Sequence, residues 1–446
     1  MSVLSRSLAA AALLVTMVSG PTAVAFDLGP RPPTTVGDGA RERIDALLTR
    51  YDPDYPVQHP LREARLDRLG AKLFDRTLAG RDTRCSQQIF VEAKWLVGYT
   101  AWWPRIDARL DELENSFAIA DQAFAAEPYY KDGFYGRCAT EAFIRLEATI
   151  EQYFIFADRG ELPAMAHGPI AAVGHEPTIV DELAALLRAD PARLGEDNRS
   201  RLGGLVSILA TGAREEGAVE LWRRTARDGV LPSDAMAARI AELNRFIDAW
   251  QDPETGYWGA WYRDGEDGFA TTDLSITYHI VKARKGRINH WPELIATTFA
   301  IRDHAYPFGW LSDGRWTNHN NYDLARIFEY AWPHLDEAQR REVKALMQEM
   351  LDWSFAESIH ETYRGFKFQP ELSSSVGAEL YFGVSFLDAV GYFDPEPWHG
   401  ELAHPAPPPP VCARLIDHAA GLDEGDTYVV GALSKLDRAC AVHVNR

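Results

Sequence analysis

The apolar positions of this chain repeat with a helical period over most of its length. Met236, Ile240, Leu243, Phe246, Ile247 and Trp250 fall on one helix face. Phe143, Leu146, Ile150 and Phe154 do the same, and Ile327, Phe328, Ala331 and Leu335 continue a helix opened near Asn320. Asp336 followed by Gln339 is an N-cap signal for a helix over Glu337 to Phe355. Turn pairs such as Asp132-Gly133, Asp252-Pro253, Asp313-Gly314 and Arg364-Gly365 separate these segments. Strand-like alternation is scarce, and Tyr428-Val429-Val430-Gly431 is its best short candidate. The pattern predicts an all-α fold of helical hairpins, with the informative loops on alternate connections. Such hairpins, stacked and closed into a ring, make an α/α toroid.

The ends of the chain read differently. Residues 1–25 have the form of a secretory signal: Arg6 is the positive start, Leu8 to Val18 the apolar stretch, and Ala23-Val24-Ala25 the small-x-small site. That stretch is too short to span a bilayer, and no later segment reaches the required length. Phe26 to Gly39 is rich in Pro and Gly and reads as an extended lead-in to a toroid domain over 26–404. The proline run Pro405 to Pro410 reads as an extended linker or strap. With it, 405–446 forms a tail too small to fold on its own core, which docks on the main domain or is stapled by cysteines. Cys85, Cys138, Cys412 and Cys440 are an even set in an exported chain. Local pairing favours Cys85–Cys138 and Cys412–Cys440.

Composition narrows the function. Hydrophobic residues are 46% of the chain, so it folds, and the formal net charge of −19 argues against nucleic acid or an anionic membrane as the partner, because both need a basic footprint. It also weighs against a polyanionic substrate unless basic residues gather at one site. No Gly-rich phosphate loop, Ser nucleophile elbow, HExxH or Cys/His zinc spacing occurs, so neither a cofactor nor a metal is expected.

The candidate chemistry lies in polar-aromatic loops at helix starts. Asn318-His319-Asn320-Asn321-Tyr322-Asp323 places six polar or aromatic residues where a helix opens. Some of them serve as caps for unpaired N–H groups, but capping does not require all of them. A helix N-terminus also favours anions, a sugar carboxylate included. Tyr257-Trp258-Gly259-Ala260-Trp261-Tyr262 offers a stacking platform for sugar rings, with at least one of Trp258, Trp261 and Tyr262 expected at the surface. His319 and Asn318 are expected to face a cleft shared with Trp258 or Trp261. Asp273 reads as an N-cap or a glycosidase carboxylate, and His279 as a structural or supporting histidine one turn into the next helix. Tyr306-Pro307-Phe308-Gly309-Trp310 shapes the cleft, and Trp102, Trp103 and Arg105 form a further aromatic-basic cluster. Glu361-Thr362-Tyr363-Arg364-Gly365-Phe366-Lys367 puts a phenol, a guanidinium and an ammonium in one loop. Elimination beside a uronate needs a base for the C5 proton, a donor for the carboxylate as it becomes enolate-like, and an acid for the leaving oxygen.

An exported helical chain with Asn318-His319 opening a helix, followed by a Tyr363-Arg364 loop, resembles the polysaccharide lyases of the α/α-toroid type, alginate and β-1,4-glucuronan lyases above all. The resemblance rests on residues from about Trp258 to Tyr381. It implies that Asn318 and His319 bind the uronate carboxylate or assist proton removal, and that Tyr363 with Arg364 performs acid–base work. Trp258, Trp261, Tyr262, Asn321, Tyr322, Lys367 and Tyr381 are then substrate contacts, with Tyr322 and Tyr381 as rival phenols. The expectation is a periplasmic or secreted enzyme that cleaves an acidic polysaccharide by β-elimination. Alternatives are an inverting glycoside hydrolase using Asp273 and Asp323, and a non-catalytic glycan-binding protein.

Overall fold

A computed structural model describes residues 26–81, 83–99, 106–123, 179–187, 202, 233–264, 267–360, 365–368, 375–394, 402–422 and 426–444. Most of these residues are helical and little is sheet. The chain enters through a short strand, β1 (Thr34–Thr35), then α1 (Asp38–Tyr51), α2 (Tyr55–Leu78), α3 (Arg84–Tyr99) and α4 (Ile106–Ala123). α5 (Ile179–Leu187) and α6 (Ser233–Trp250) lead to the strands β2 (Trp261–Asp264) and β3 (Asp267–Thr271). β3 is the centre of a small sheet, antiparallel to β2 and parallel to β1.

The helices that carry the polar loops follow: α7 (Leu274–Ala283), α8 (Trp291–Ala300), α9 (Asn318–Ala331) and α10 (Glu337–Trp353). α10 runs into a π-turn over Ser354–Ser358, and the antiparallel pair β4 (Ile359–His360) and β5 (Gly365–Phe366) precedes α11 (Val376–Ala389). All of these helices but α8 start where a side chain satisfies an orphan N–H. Asp273 Oδ1 accepts from Ile276 N at 2.9 Å, Thr317 Oγ1 from Asn320 N at 3.2 Å, and Ser375 Oγ from Ala378 N at 2.9 Å. Asp336 and Gln339 form the reciprocal capping box read from the sequence.

Burial sorts these helices into two kinds. α10 hides one stripe, Val343, Leu346, Met347, Met350 and Leu351, and is amphipathic. α7, α9 and α11 are buried nearly all round, with polar side chains such as Thr277, Asn318, Asp323 and Glu379 inside. The inner helices pack side by side, α7 on α9 and α9 on α11. The row continues into the C-terminal helices α12 (Pro408–Ala420) and α13 (Thr427–Val444), with α11 on α13 and α12 on α13.

The tail therefore both docks and is stapled. Val411, Leu415, Val429, Ala432 and Leu436 belong to the same core as α7 to α11, and Cys412 is bonded to Cys440 with Cα atoms 5.9 Å apart. Cys85 is also disulfide-bonded. Cys138, the partner expected for it, lies outside the described residues, as do Trp102, Trp103, Arg105, the Phe143–Phe154 helix face and the signal over 1–25. Two tail expectations are corrected. Tyr428 to Gly431 is helical, because packing of Tyr428 on Tyr381 and Phe382 overrides the strand preference of its valines. The proline run is not wholly extended, since Pro408 to Pro410 form the first turn of α12, where a missing N–H costs nothing.

Gly259 marks the tightest point of the sheet. A Cβ there would run into the Thr271 carbonyl, so no larger residue fits without moving β3. Gly259→Ala should destabilise the protein by about 1–3 kcal/mol, as overpacking does. The check is a fall in urea midpoint with an unchanged slope.

Candidate functional site

The start of α9 is the polar centre of the described structure. Its asparagines are largely occupied. Asn318 is fully buried, and its Nδ2 donates to Ser358 Oγ at 2.6 Å and to Glu379 Oε1 at 3.1 Å. The π-turn after α10 brings Ser354 and Ser358 to this side chain together, since Ser354 Oγ lies 3.5 Å from Asn318 Oδ1. Asn320 ties the preceding loop down through Trp310 O at 2.8 Å and Ser312 Oγ at 3.0 Å. Asn321 is buried too, and its Nδ2 has no hydrogen-bond partner among the described residues. Asn318 thus faces protein and not solvent. The helix cap is Thr317, one residue earlier.

His319 behaves differently. Its side chain is 30% exposed. Burial nevertheless lowers its pKa to about 4, with Lys94 of α3 adding to the fall. The imidazole is thus partly exposed yet closely packed, with Phe382 and Tyr306 as ring neighbours. His279 of α7 is its half-buried counterpart, lowered to about 3 by burial, then by Lys282 and by His319 itself. The two imidazoles therefore lie close enough to oppose each other's protonation, and both are uncharged near neutral pH.

A phenol and a set of cations adjoin them. Lys282 Nζ is 3.2 Å from the Tyr322 hydroxyl, and Arg326 and Lys435 stand 5.7 Å from the Tyr322 ring centre. Lys435, on α13, is only 5% exposed and also lies 5.3 Å from the Tyr381 ring. Lys94, Lys282 and Lys435 bring positive charge to this region of a chain of net charge −19, while Arg326 is ion-paired with Glu329 and Asp388. Beneath them, Asp323 is fully buried, and burial raises its pKa well above the ordinary value, with Asp273 reinforcing and Lys282 opposing.

The stacking platform is not where the sequence placed it. Trp258, Trp261 and Tyr262 are all buried, so none of them is the exposed ring expected. The Trp258 indole donates to Ile247 O at 2.8 Å, Arg31 lies over the Trp261 ring, and Tyr262 stacks on Phe269 within the sheet. Large aromatics gained more from the core between α6 and the strands than from the surface. The rings in contact with His319 are Phe382, at 4.3 Å between centres, and Tyr306, at 5.8 Å, both half-buried. They replace Trp258 and Trp261 as its aromatic neighbours. Tyr306 belonged to the loop read as shaping the cleft. His279 had been given only a supporting role, and Lys282, Lys94 and Phe382 carried no local signal, because their meaning lies in the pairing of helices distant in sequence.

Tyr363 and Arg364 lie outside the described residues, between β4 and β5. Lys367 is exposed just after β5, with its backbone N–H bonded to Ser358 O at 2.6 Å. Tyr381 is buried against Phe382 and Tyr428. Asp273 serves as the N-cap of α7. Among the described residues no group of three or more His, Cys, Asp or Glu is placed to hold a metal ion, and no helix is long and apolar enough to cross a membrane. No family model, curated protein or solved structure matches this chain.

The suppressed imidazoles have a consequence for stability. Their folded pKa values, about 3 for His279 and about 4 for His319, lie below the ordinary 6.5. The unfolded chain thus binds more protons between these limits, and stability present above pH 6.5 is lost as the pH falls through the folded values. The His279→Gln/His319→Gln double variant should lose less Tm than the wild type between pH 7 and pH 4. Calorimetry across that range checks it.

Proposed function

We propose that this chain is a periplasmic or secreted polysaccharide lyase that cleaves a uronic-acid polysaccharide, glucuronan or alginate, by β-elimination. In this reading α7, α9 and α11 belong to the inner layer of an α/α toroid, with α8 and α10 outside. The signal-like first 25 residues and the Cys412–Cys440 disulfide support export. One observation carries the chemistry. Two uncharged imidazoles, His279 and His319, lie near a buried phenol, Tyr322, that is hydrogen-bonded to the Lys282 ammonium, with Lys94 and Lys435 close by.

Each part has work to do. An uncharged imidazole can take the C5 proton, and His279 fills that role. The second, His319, donates a hydrogen bond to the carboxylate as charge moves onto it, and the cations stabilise the same charge. The Tyr322 phenol gives its proton to the leaving oxygen, and Lys282 stabilises the phenolate that remains. The C5–H and C4–O bonds break and the C4–C5 double bond forms, so atoms balance without water. Phe382 and Tyr306 offer faces to a sugar ring. Tyr363 with Arg364 is the second phenol–cation pair of the proposal.

Inverting hydrolysis through Asp273 and Asp323 has less behind it. Asp273 is spent on capping α7, and both carboxylates are fully buried. A carboxylate base in that mechanism must hold a water.

The test is ultraviolet absorbance of unsaturated uronide on a panel of polyuronates, with Tyr322→Phe, Tyr363→Phe and Tyr381→Phe side by side. Tyr322→Phe should lower kcat by about 10²–10⁴-fold while the fold persists. Wild-type activity in Tyr322→Phe and a dead Tyr363→Phe would move the phenol to the second pair. Binding without unsaturated product on any polyuronate would make the protein a glycan binder, and reducing ends without absorbance would make it a hydrolase.

A further inference from the structure

Asp323 is the least explained group near His319. It is fully buried, and neither carboxyl oxygen has a hydrogen-bond partner among the described residues. A carboxyl left so is expensive, and an isolated buried carboxylate far more so. The ring nitrogen nearest to it is Nε2 of His319, one helical turn away on α9 and 3.8 Å from Oδ2.

We infer that the buried Asp323 carboxyl donates its proton to His319 Nε2, and thereby fixes the imidazole as the Nδ1–H tautomer. Asp323 is then a positioning residue. The inference deepens the proposed lyase site and rests on it only for the catalytic meaning of His319, because the tautomer itself is a property of the free protein.

The surroundings favour this arrangement over the opposite one, in which a carboxylate accepts from Nε2–H. Burial holds the Asp323 proton on, and Asp273 adds to that, while Lys282 pulls the other way. His319 is itself kept uncharged by burial and by Lys94 on α3. His279 lies near it on α7, where Lys282 acts on His279 and on Asp323, while Phe382 from α11 and Tyr306 from the preceding loop contribute no charge. Between an uncharged acid and an uncharged imidazole the stronger bond runs from acid O–H to the bare ring nitrogen, the alternative being ring N–H to the weakly basic acid carbonyl. With the stronger bond made, the second ring nitrogen carries hydrogen and is a donor. His319 can hold a uronate carboxylate in this state but cannot accept the C5 proton, which leaves His279 as the base.

Long-range ¹H–¹⁵N spectra of histidine-labelled protein at neutral pH read the tautomer directly, with His319→Gln identifying the signal. The expected wild-type spectrum has His319 protonated on Nδ1 with a free-acceptor shift at Nε2. Asp323→Asn should keep that pattern, because an amide N–H donates as the acid does. Asp323→Leu should lose it, giving the other tautomer or a mixture. An Nε2–H or doubly protonated His319 in the wild type overturns the inference, and so does a change of tautomer in Asp323→Asn. An Asp323→Leu protein with the wild-type pattern overturns it as well. If Asp323→Leu does not fold, the first two spectra still decide. A wild-type Nδ1–H tautomer without any polyuronate cleavage leaves the Asp323 assignment standing and removes the lyase reading. Cleavage with an Nε2–H tautomer does the reverse.

Discussion

The structure depends on a desolvation cost accepted in the middle of its inner helices. α7, α9 and α11 are buried nearly all round, yet they carry Asp273, His279, Lys282, Asn318, His319, Tyr322, Asp323 and Glu379. Polar groups in such places must be paired, neutral or lost. Asn318 is paired, through Ser358 and Glu379. The imidazoles are neutral. Asp323 is pushed toward its neutral acid. The same rule that keeps the fold intact sets the protonation states available for proton transfer, so stability and chemistry at this point are one problem.

The outer elements supply what this centre cannot. The π-turn at the end of α10 reaches in to satisfy Asn318, and the cap of α9 comes from Thr317, which leaves the side chains of the first turn to point elsewhere. Caps at Asp273, Asp336 and Ser375 fix the starts of the neighbouring helices in the same way. Relative placement of His279 and His319 then follows from the packing of α7 on α9, with little left to loop conformation.

Much of the helical plan was legible in the sequence because it is local. The apolar face ending at Trp250, the capping box at Asp336 and the helix opened by Asn318 each announce themselves within a few residues. The aromatic platform was misread for the same reason. Trp258-Gly259-Ala260-Trp261 looks like a loop of rings, but Gly259 lets that segment press against Thr271, and the indoles turn inward. Nothing within ten residues of Phe382, Lys435 or Lys94 hints that they approach His319 or Tyr322, since those approaches are made by helices far apart in sequence. Asp323 was read as a hydrolase acid from its residue type, and only its burial beside His319 gives it a different meaning.

The position of α13 has a consequence for the timing of assembly. Lys435 and Tyr428 pack against Tyr322, Tyr381 and Phe382, so the polar centre is completed only when a helix made well after α9 and α11 has docked. The covalent tie that fastens this helix, Cys412 to Cys440, forms where thiols are oxidised. A chain held under reducing conditions lacks this lock. Maturation of the polar centre is thereby tied to the oxidation of one pair of thiols.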